Sequence, residues 1–314
     1  MKIATAPVNW NNADAPDFRE WFPYPQILDL MVAAGYTATE WGMNMPSRVS
    51  QMLTDLNERR LQLLGGFVSL ELRNEAKLAG EIERAIEVGH FFKSLGGQLL
   101  IAADSGDPLR LAQSGRVDPT SGLKEHEWRN LTSGLDQIGD RLRLEGVKVV
   151  FHNHVGTYVE TEAETARLLE ETNPDNVGWC FDCGHIAYGG ADVFRLLTKY
   201  GSRVRHAHLK DVNAEVLNEA RDRRWNLADA LKAFIFSPLG EGNLDLRRVL
   251  ELLRDQGYND WVVVEQDTTP LDPTTVARRN RTFLEALLDE LGIELGREKR
   301  GDHRNHTELP LAQS

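Results

Sequence analysis

Val177-Gly-Trp-Cys-Phe-Asp182-Cys-Gly-His185 is an apolar run that closes on an Asp, with a His three positions further on. Two other stretches repeat the pattern. Val204-Arg-His206-Ala-His208-Leu-Lys210-Asp211 ends in alternating His, and Trp261-Val-Val-Val-Glu265-Gln-Asp267 ends in a carboxylate cluster. A short buried strand that ends in charge is costly unless the charge is used. Several such endings in one chain read as a barrel of parallel strands whose C-terminal ends converge on one polar site.

Working outward, short apolar runs alternate with longer amphipathic ones. Strands are expected near residues 2–7, 37–41, 61–68, 98–103, 147–152, 177–181, 204–209 and 260–265. Helical periodicity covers residues 25–34, 48–60, 75–95, 123–144, 162–171, 192–200, 245–256 and 273–291. Gly35, Gly96, Gly146 and Gly257 follow four of these runs, where a helix stop is expected. About eight β–α units, an α/β pattern, predict a single (β/α)8 TIM barrel over residues 1–295. An open doubly wound sheet fits less well, because no G-x-G-x-x-G follows a strand and the polar residues are spread over many strand ends. Long insertions at residues 104–122 and 212–243 follow the fourth and seventh strands, where a lid or oligomer contact belongs. Residues 296–314 form a polar tail, expected to be poorly ordered.

The net charge of −12 argues against general nucleic-acid or anionic-membrane binding. No apolar run approaches the roughly 20 residues that span a bilayer, and the N-terminus lacks a signal-peptide core, so a cytoplasmic protein is expected. Cys180 and Cys183 flank Asp182 and read as small buried residues in a reducing compartment rather than as half of a thiolate metal site. A homodimer or homotetramer is compatible with the insertions, but nothing in the sequence specifies one.

The strand ends supply the candidate chemistry. The first carries Trp10 and Asn11, the second Glu40 and Trp41, and the fourth Asp104. The fifth carries His152, His154 and, further on, Glu160; the sixth Asp182 and His185; the seventh His208 and Lys210; the eighth Glu265 and Asp267. His206 is taken to face away from His208, which is preferred for the site. Two or three carboxylates with an imidazole suit Mn²⁺, Co²⁺ or Mg²⁺ better than a thiolate-type zinc site. Such an ion would polarise a substrate carbonyl and acidify the neighbouring C–H. Trp10 and Trp41 read more readily as packing than as stacking platforms.

On these stretches the chain resembles the xylose-isomerase-like TIM-barrel superfamily, and within it the inosose dehydratases. The similarity is carried by Ala6-Pro-Val-Asn-Trp-Asn-Asn12, Gly35-Tyr-Thr-Ala-Thr-Glu40-Trp-Gly42, His152-Asn-His154-Val-Gly-Thr-Tyr-Val-Glu160, Phe181-Asp182-Cys-Gly-His185 and Val262-Val-Val-Glu265-Gln-Asp267, among others, and runs almost end to end. The resemblance implies a metal held by residues from strands five to eight, matched here by Asp182, His208 and Glu265. Glu160 is assigned as the fourth ligand, with His154 as rival, because the fifth strand does not itself end in Glu. It further implies a substrate-contacting His185, and a cyclitol or sugar ketone as the small-molecule substrate. The ion is expected to be Mn²⁺ or Co²⁺, with Mg²⁺ or Zn²⁺ as alternatives. Glu160, Glu265, His154, His185 and Lys210 are the expected acid–base groups, and Trp10, Asn11, Glu40, His152 and Asp267 the expected substrate contacts. Dehydration of 2-keto-myo-inositol (scyllo-inosose) is the expected reaction, with isomerisation or epimerisation of a keto-sugar as the alternative. The chain departs from the dehydratases in having Asn153 where they commonly have Pro and Trp41 where they commonly have Leu, so a relative of inosose is also in view. DNA-repair endonucleases of the same superfamily are disfavoured by the negative charge.

Overall fold

The structure, a computed structural model, describes residues 1–296; most of the polar tail lies outside the described residues. Ten strands occur in chain order: β1 Lys2–Thr5, β2 Ala38–Trp41, β3 Gln62–Leu70, β4 Leu99–Asp104, β5 Lys148–His152, β6 Val177–Asp182, β7 Val204–Leu209, β8 Asp211–Val212, β9 Phe236–Ser237 and β10 Trp261–Val264. Eight of them close a parallel barrel in the order β1-β2-β3-β4-β5-β6-β7-β10, with β10 returning to β1. This is the (β/α)8 architecture expected from the alternation of runs. The eight expected helices form, from Tyr24–Ala33 to Pro273–Glu290, each within a few residues of its sequence bounds. Gly35, Gly96, Gly146 and Gly257 all adopt positive φ just past a helix, a conformation that costs glycine little and other residues more.

The barrel strands are buried on both faces, which is why they read as continuous apolar runs. On β6, Val177, Trp179 and Phe181 pack outward with the helices, while Cys180 belongs to the inner cluster with Ala4, Ala38, Leu64, Ile101, Val150 and Val263. Small Ala residues from β1 and β2 oppose branched side chains from β3, β4, β5 and β10, so the lumen is filled. The next inward positions toward the C-terminal ends are polar, and there the candidate site residues Asp182, His208 and Glu265 come together.

The insertion after β7 forms the helices Ala214–Asp222 and Leu227–Lys232 and the antiparallel β8–β9 ribbon. It has its own apolar cluster, including Val212, Leu227, Leu231 and Phe236, which packs against Val155 and Tyr188. The Asp211 carboxylate ties this loop down by accepting from the backbone N–H groups of Val212, Gly240, Gly242 and Leu244. No helix among the described residues is long and apolar enough to cross a membrane.

Gly65 on β3 lies so close to β4 that an added Cβ would stand 2.0 Å from the Leu99 carbonyl oxygen. A backbone atom cannot swing aside as a side chain can. Gly65→Ala is therefore expected to cost about 3 kcal/mol, measured as a lowered midpoint in thermal and urea unfolding.

Candidate active site

Three strand ends build the centre of the site. Asp182 closes β6, His208 lies opposite it on β7, and Glu265 follows β10. Two positions beyond His208, the fully buried Lys210 places Nζ 3.1 Å from Asp182 Oδ2 and 3.3 Å from Asp267 Oδ1, and hydrogen-bonds Glu265 Oε2. Burial opposes the ammonium charge, but Asp182, Asp267 and Glu265 together raise its pKa well above the ordinary lysine value. The same contacts hold Asp182 well below the ordinary carboxylate range despite its burial. Asp267 goes the other way: burial pushes its carboxyl up to about 7, with Lys210 resisting and Glu265 adding to the rise.

His208 joins this cluster to a second one. Its Nδ1 lies 3.1 Å from Glu265 Oε2 and 3.7 Å from Asp182 Oδ2, without a well-aligned hydrogen bond to either. Its Nε2 lies 2.9 Å from Glu40 Oε1, which also meets His206 Nε2 at 2.5 Å. The shared carboxylate turns Nε2 of His208 toward Glu40 and leaves Nδ1 for the carboxylate side. Burial works against charge on His208, but the neighbouring Cys180, Glu265 and Glu40 raise its pKa well above the ordinary imidazole value.

A third group lines the mouth. His152 Nε2 is 3.3 Å from Asp182 Oδ2, and burial holds its pKa down to about 4. The rings of His154 and His185 are 4.0 Å apart. Their backbone contacts assign their tautomers. His154 Nδ1 lies 2.8 Å from the Val155 carbonyl, so it donates, and in the neutral ring Nε2, 3.7 Å from Asp14 Oδ2, is the acceptor. His185 Nδ1 accepts from Val155 N–H at 3.2 Å, and burial drives its pKa well below the ordinary value, so the neutral ring carries its proton on Nε2. The pair presents one acceptor and one donor to a cavity of about 830 Å³ that Lys210, Glu265, Asp267, Asn11 and Glu40 also line.

Several expectations are corrected. Glu160 does not join the cluster: its two carboxylate oxygens accept from Gly115 and Gly156 N–H, because β5 ends eight residues earlier and the intervening turn carries Glu160 away from the strand end. The residue that β5 delivers beside Asp182 is His152. Trp10 is buried, donates its indole N–H to Thr274 Oγ1 and does not line the cavity. His206 faces the same side as His208, since residues two apart on a strand share a face. Glu40 lines the cavity, and its Oε1 is engaged by two imidazoles. Asn11 lines the cavity while its amide bonds both backbone groups of Phe22. Asp104, also on the wall, is paired with Arg73 at 2.6 Å. Trp41, Met43, Phe67 and Phe91 line the cavity too. Nothing in the sequence separates Phe67 and Phe91 from core residues.

The donor set fits a divalent ion. Asp182, His208 and Glu265 offer ligand atoms within 4.8 Å of one another, and the buried His208 Nδ1 and His152 Nδ1 lack hydrogen-bond partners. Two carboxylates and an imidazole, with no thiolate, are oxygen-rich ligands of intermediate hardness.

Residues 28–287 match the model of the xylose isomerase-like TIM barrel family. Inosose dehydratase from Geobacillus thermodenitrificans is 31% identical over 288 residues, covering 90% of this chain and 96% of that protein. Inosose dehydratase from Lacticaseibacillus casei is 30% identical over 293 residues, covering 92% and 98%. Among solved structures, the IOLI protein with a binding zinc atom superposes with a TM-score of 0.69 at 17% identity, covering 92% of this chain and 99% of that one. A probable 3-DHS dehydratase of Bacillus anthracis superposes with a TM-score of 0.67 at 16% identity, covering 91% and 99%. At such identities the superpositions speak to the fold alone.

Two outcomes follow from this geometry. Glu40→Ala is expected to weaken Mn²⁺ or Co²⁺ binding by roughly 10- to 100-fold, the usual penalty for losing a carboxylate that orients a ligating histidine, in calorimetric titration; unchanged affinity would remove Glu40 from that role. Burial raises Glu160 from 4.5 to about 7, so the folded chain holds this proton more tightly than the unfolded one. That contribution is intact below about pH 4.5 and is lost as pH rises through 7. The stability advantage of wild type over Glu160→Ala should shrink by up to roughly 3 kcal/mol across that window, while metal affinity stays the same; a lost affinity would restore Glu160 as a ligand.

Proposed function

The chain belongs to the xylose isomerase-like TIM barrel family, and from that premise we propose that it dehydrates a keto-cyclitol, with scyllo-inosose as the substrate to test. It is an enzyme of the lyase kind, as its relatives of about 30% identity along nearly the whole chain are. The observation that carries the reading is the meeting of Asp182, His208 and Glu265 with Lys210 and Asp267 on one side of a cavity that the His154–His185 pair also lines.

Asp182, His208 and Glu265, with His152 beside them, are the residues that would hold a divalent ion, Mn²⁺ or Co²⁺ in our reading. When bound, such an ion supplies Lewis acidity that polarises the ketone and stabilises enolate charge. The remaining steps are assigned to the chain's own side chains. His154, its Nδ1–H fixed on the Val155 carbonyl, takes the proton α to the ketone on Nε2. The Lys210 ammonium offsets negative charge as it develops on the enolate oxygen. His185 donates from Nε2 to a substrate hydroxyl and orients the ring. Asp267, which lines the cavity beside Lys210 and whose carboxyl is raised by burial, gives its proton to the β-hydroxyl. The α C–H and β C–O bonds break, a C=C bond forms, and water leaves. Glu160 takes no part in this scheme.

Return of the proton to carbon instead of loss of the hydroxyl would make the same site an epimerase or isomerase. Product mass separates the two. Scyllo-inosose incubated with Mn²⁺- or Co²⁺-loaded protein should lose one water and gain ultraviolet absorbance, and EDTA should abolish the change. His154→Ala should lower kcat by about 100-fold or more, the usual share of a positioned base. A new isomer of unchanged mass would move the reaction to epimerisation; inosose left intact would exclude it as substrate.

A further inference from the structure

One wall of the cavity is unsuited to a bare polyol. The cavity, about 830 Å³, is near the upper end of the roughly 300–1,000 Å³ typical of sites for drug-sized ligands, and a single six-membered ring fills a minor part of it. The polar groups gather at the ends of β5, β6, β7 and β10. The side formed from β2, β3 and the helix Leu78–Ser94 presents Trp41, Met43, Phe67 and Phe91. Phe67 remains 43% exposed and Met43 51% exposed, a large apolar area to leave in water beside a reaction centre.

The wall is built in continuity with that centre. The Phe67 ring lies 6.1 Å from His152 and 6.2 Å from His154, so it begins where the acid–base groups end. Trp41 directly follows Glu40 on β2, and its ring meets Phe91 edge-on at 6.0 Å and Phe92 at 6.0 Å. These contacts fix the indole in place before any ligand arrives. Arg84, the cation on this side, is spent on Glu81 and the Ser69 carbonyl. Ser47, Ser69 and Glu87 also line this side, but hydroxyls laid against the ring faces of Trp41, Phe67 and Phe91 would lose water without a hydrogen-bond partner in return, which is unfavourable. An aromatic group placed there would bury the exposed rings and leave the hydroxyls to the polar half.

We infer that the substrate is a cyclic hydroxyketone carrying an apolar, aromatic substituent, seated on the Trp41–Phe67–Phe91 wall while its ring lies over the Lys210 cluster. This rests on the proposed function for the ring and its ketone, and adds the substituent. Binding of unreactive probes tests it separately from turnover. Phenyl β-D-glucoside and methyl β-D-glucoside are titrated calorimetrically into the metal-loaded protein. The phenyl probe is expected to bind about tenfold more tightly or better, as burial and stacking of one aromatic ring allow. Phe67→Ser and Trp41→Leu should each remove most of that preference; Phe67 is half in solvent, so its replacement leaves the fold intact. Equal affinities, or a preference that survives both substitutions, would overturn the inference even if inosose is turned over. A phenyl preference with no turnover of inosose would uphold the wall and fail the inosose reading. Sedimentation showing that Phe67→Asp dissociates a dimer would assign the wall to a subunit interface and overturn the substituent.

Discussion

Lys210 Nζ is the interaction on which the catalytic face depends. Three carboxylates, Asp182, Glu265 and Asp267, reach one buried volume from the ends of β6 and β10. Uncompensated, each would cost several kcal/mol to desolvate, and their mutual repulsion would add to that. The buried Lys210 ammonium, together with the His208 imidazole, keeps Asp182 and Glu265 charged, while burial and Glu265 raise the carboxyl of Asp267. Lys210 stands at nearly the same distance from Asp182 and Asp267, so the division of labour among three similar carboxylates comes from His208, which supports the charge of Asp182 and Glu265.

The second constraint runs across the lumen. β2 and β7 are not neighbours in the barrel, yet Glu40 of β2 accepts from His206 and His208 of β7. These bonds brace opposite walls just above the apolar layer of Ala38, Val150, Cys180 and Val263. They also orient His208, whose other nitrogen faces Glu265 and Asp182. Structural bracing and orientation of His208 are therefore the same hydrogen bonds, made by a carboxylate that also lines the cavity.

The barrel was legible because strands covered on both faces leave uninterrupted apolar runs, and glycine marks where helices stop. The polar strand ends were legible for the same reason: Asp182 and Glu265 end runs that otherwise carry no charge, and His208 ends a short run broken by Arg205 and His206. What failed was whatever depended on turns or faces. Glu160 was chosen for its residue type, but the turn after β5 directs it to two backbone N–H groups, while His152, still on the strand, arrives beside Asp182. Trp10 sits next to Asn11, yet only Asn11 reaches the cavity. The aromatic wall could not be found at all, since Phe67 and Phe91 have the spacing and chemistry of ordinary core residues.

By itself the sequence determined the number and order of the β–α units, and which strand ends carry charge, because both are written in local periodicity and composition. Only the tertiary structure decided which charges share a volume, which nitrogen of each histidine is free, and where the cavity turns apolar. Those depend on register, on contacts between residues more than a hundred positions apart, and on burial, and no local pattern encodes them.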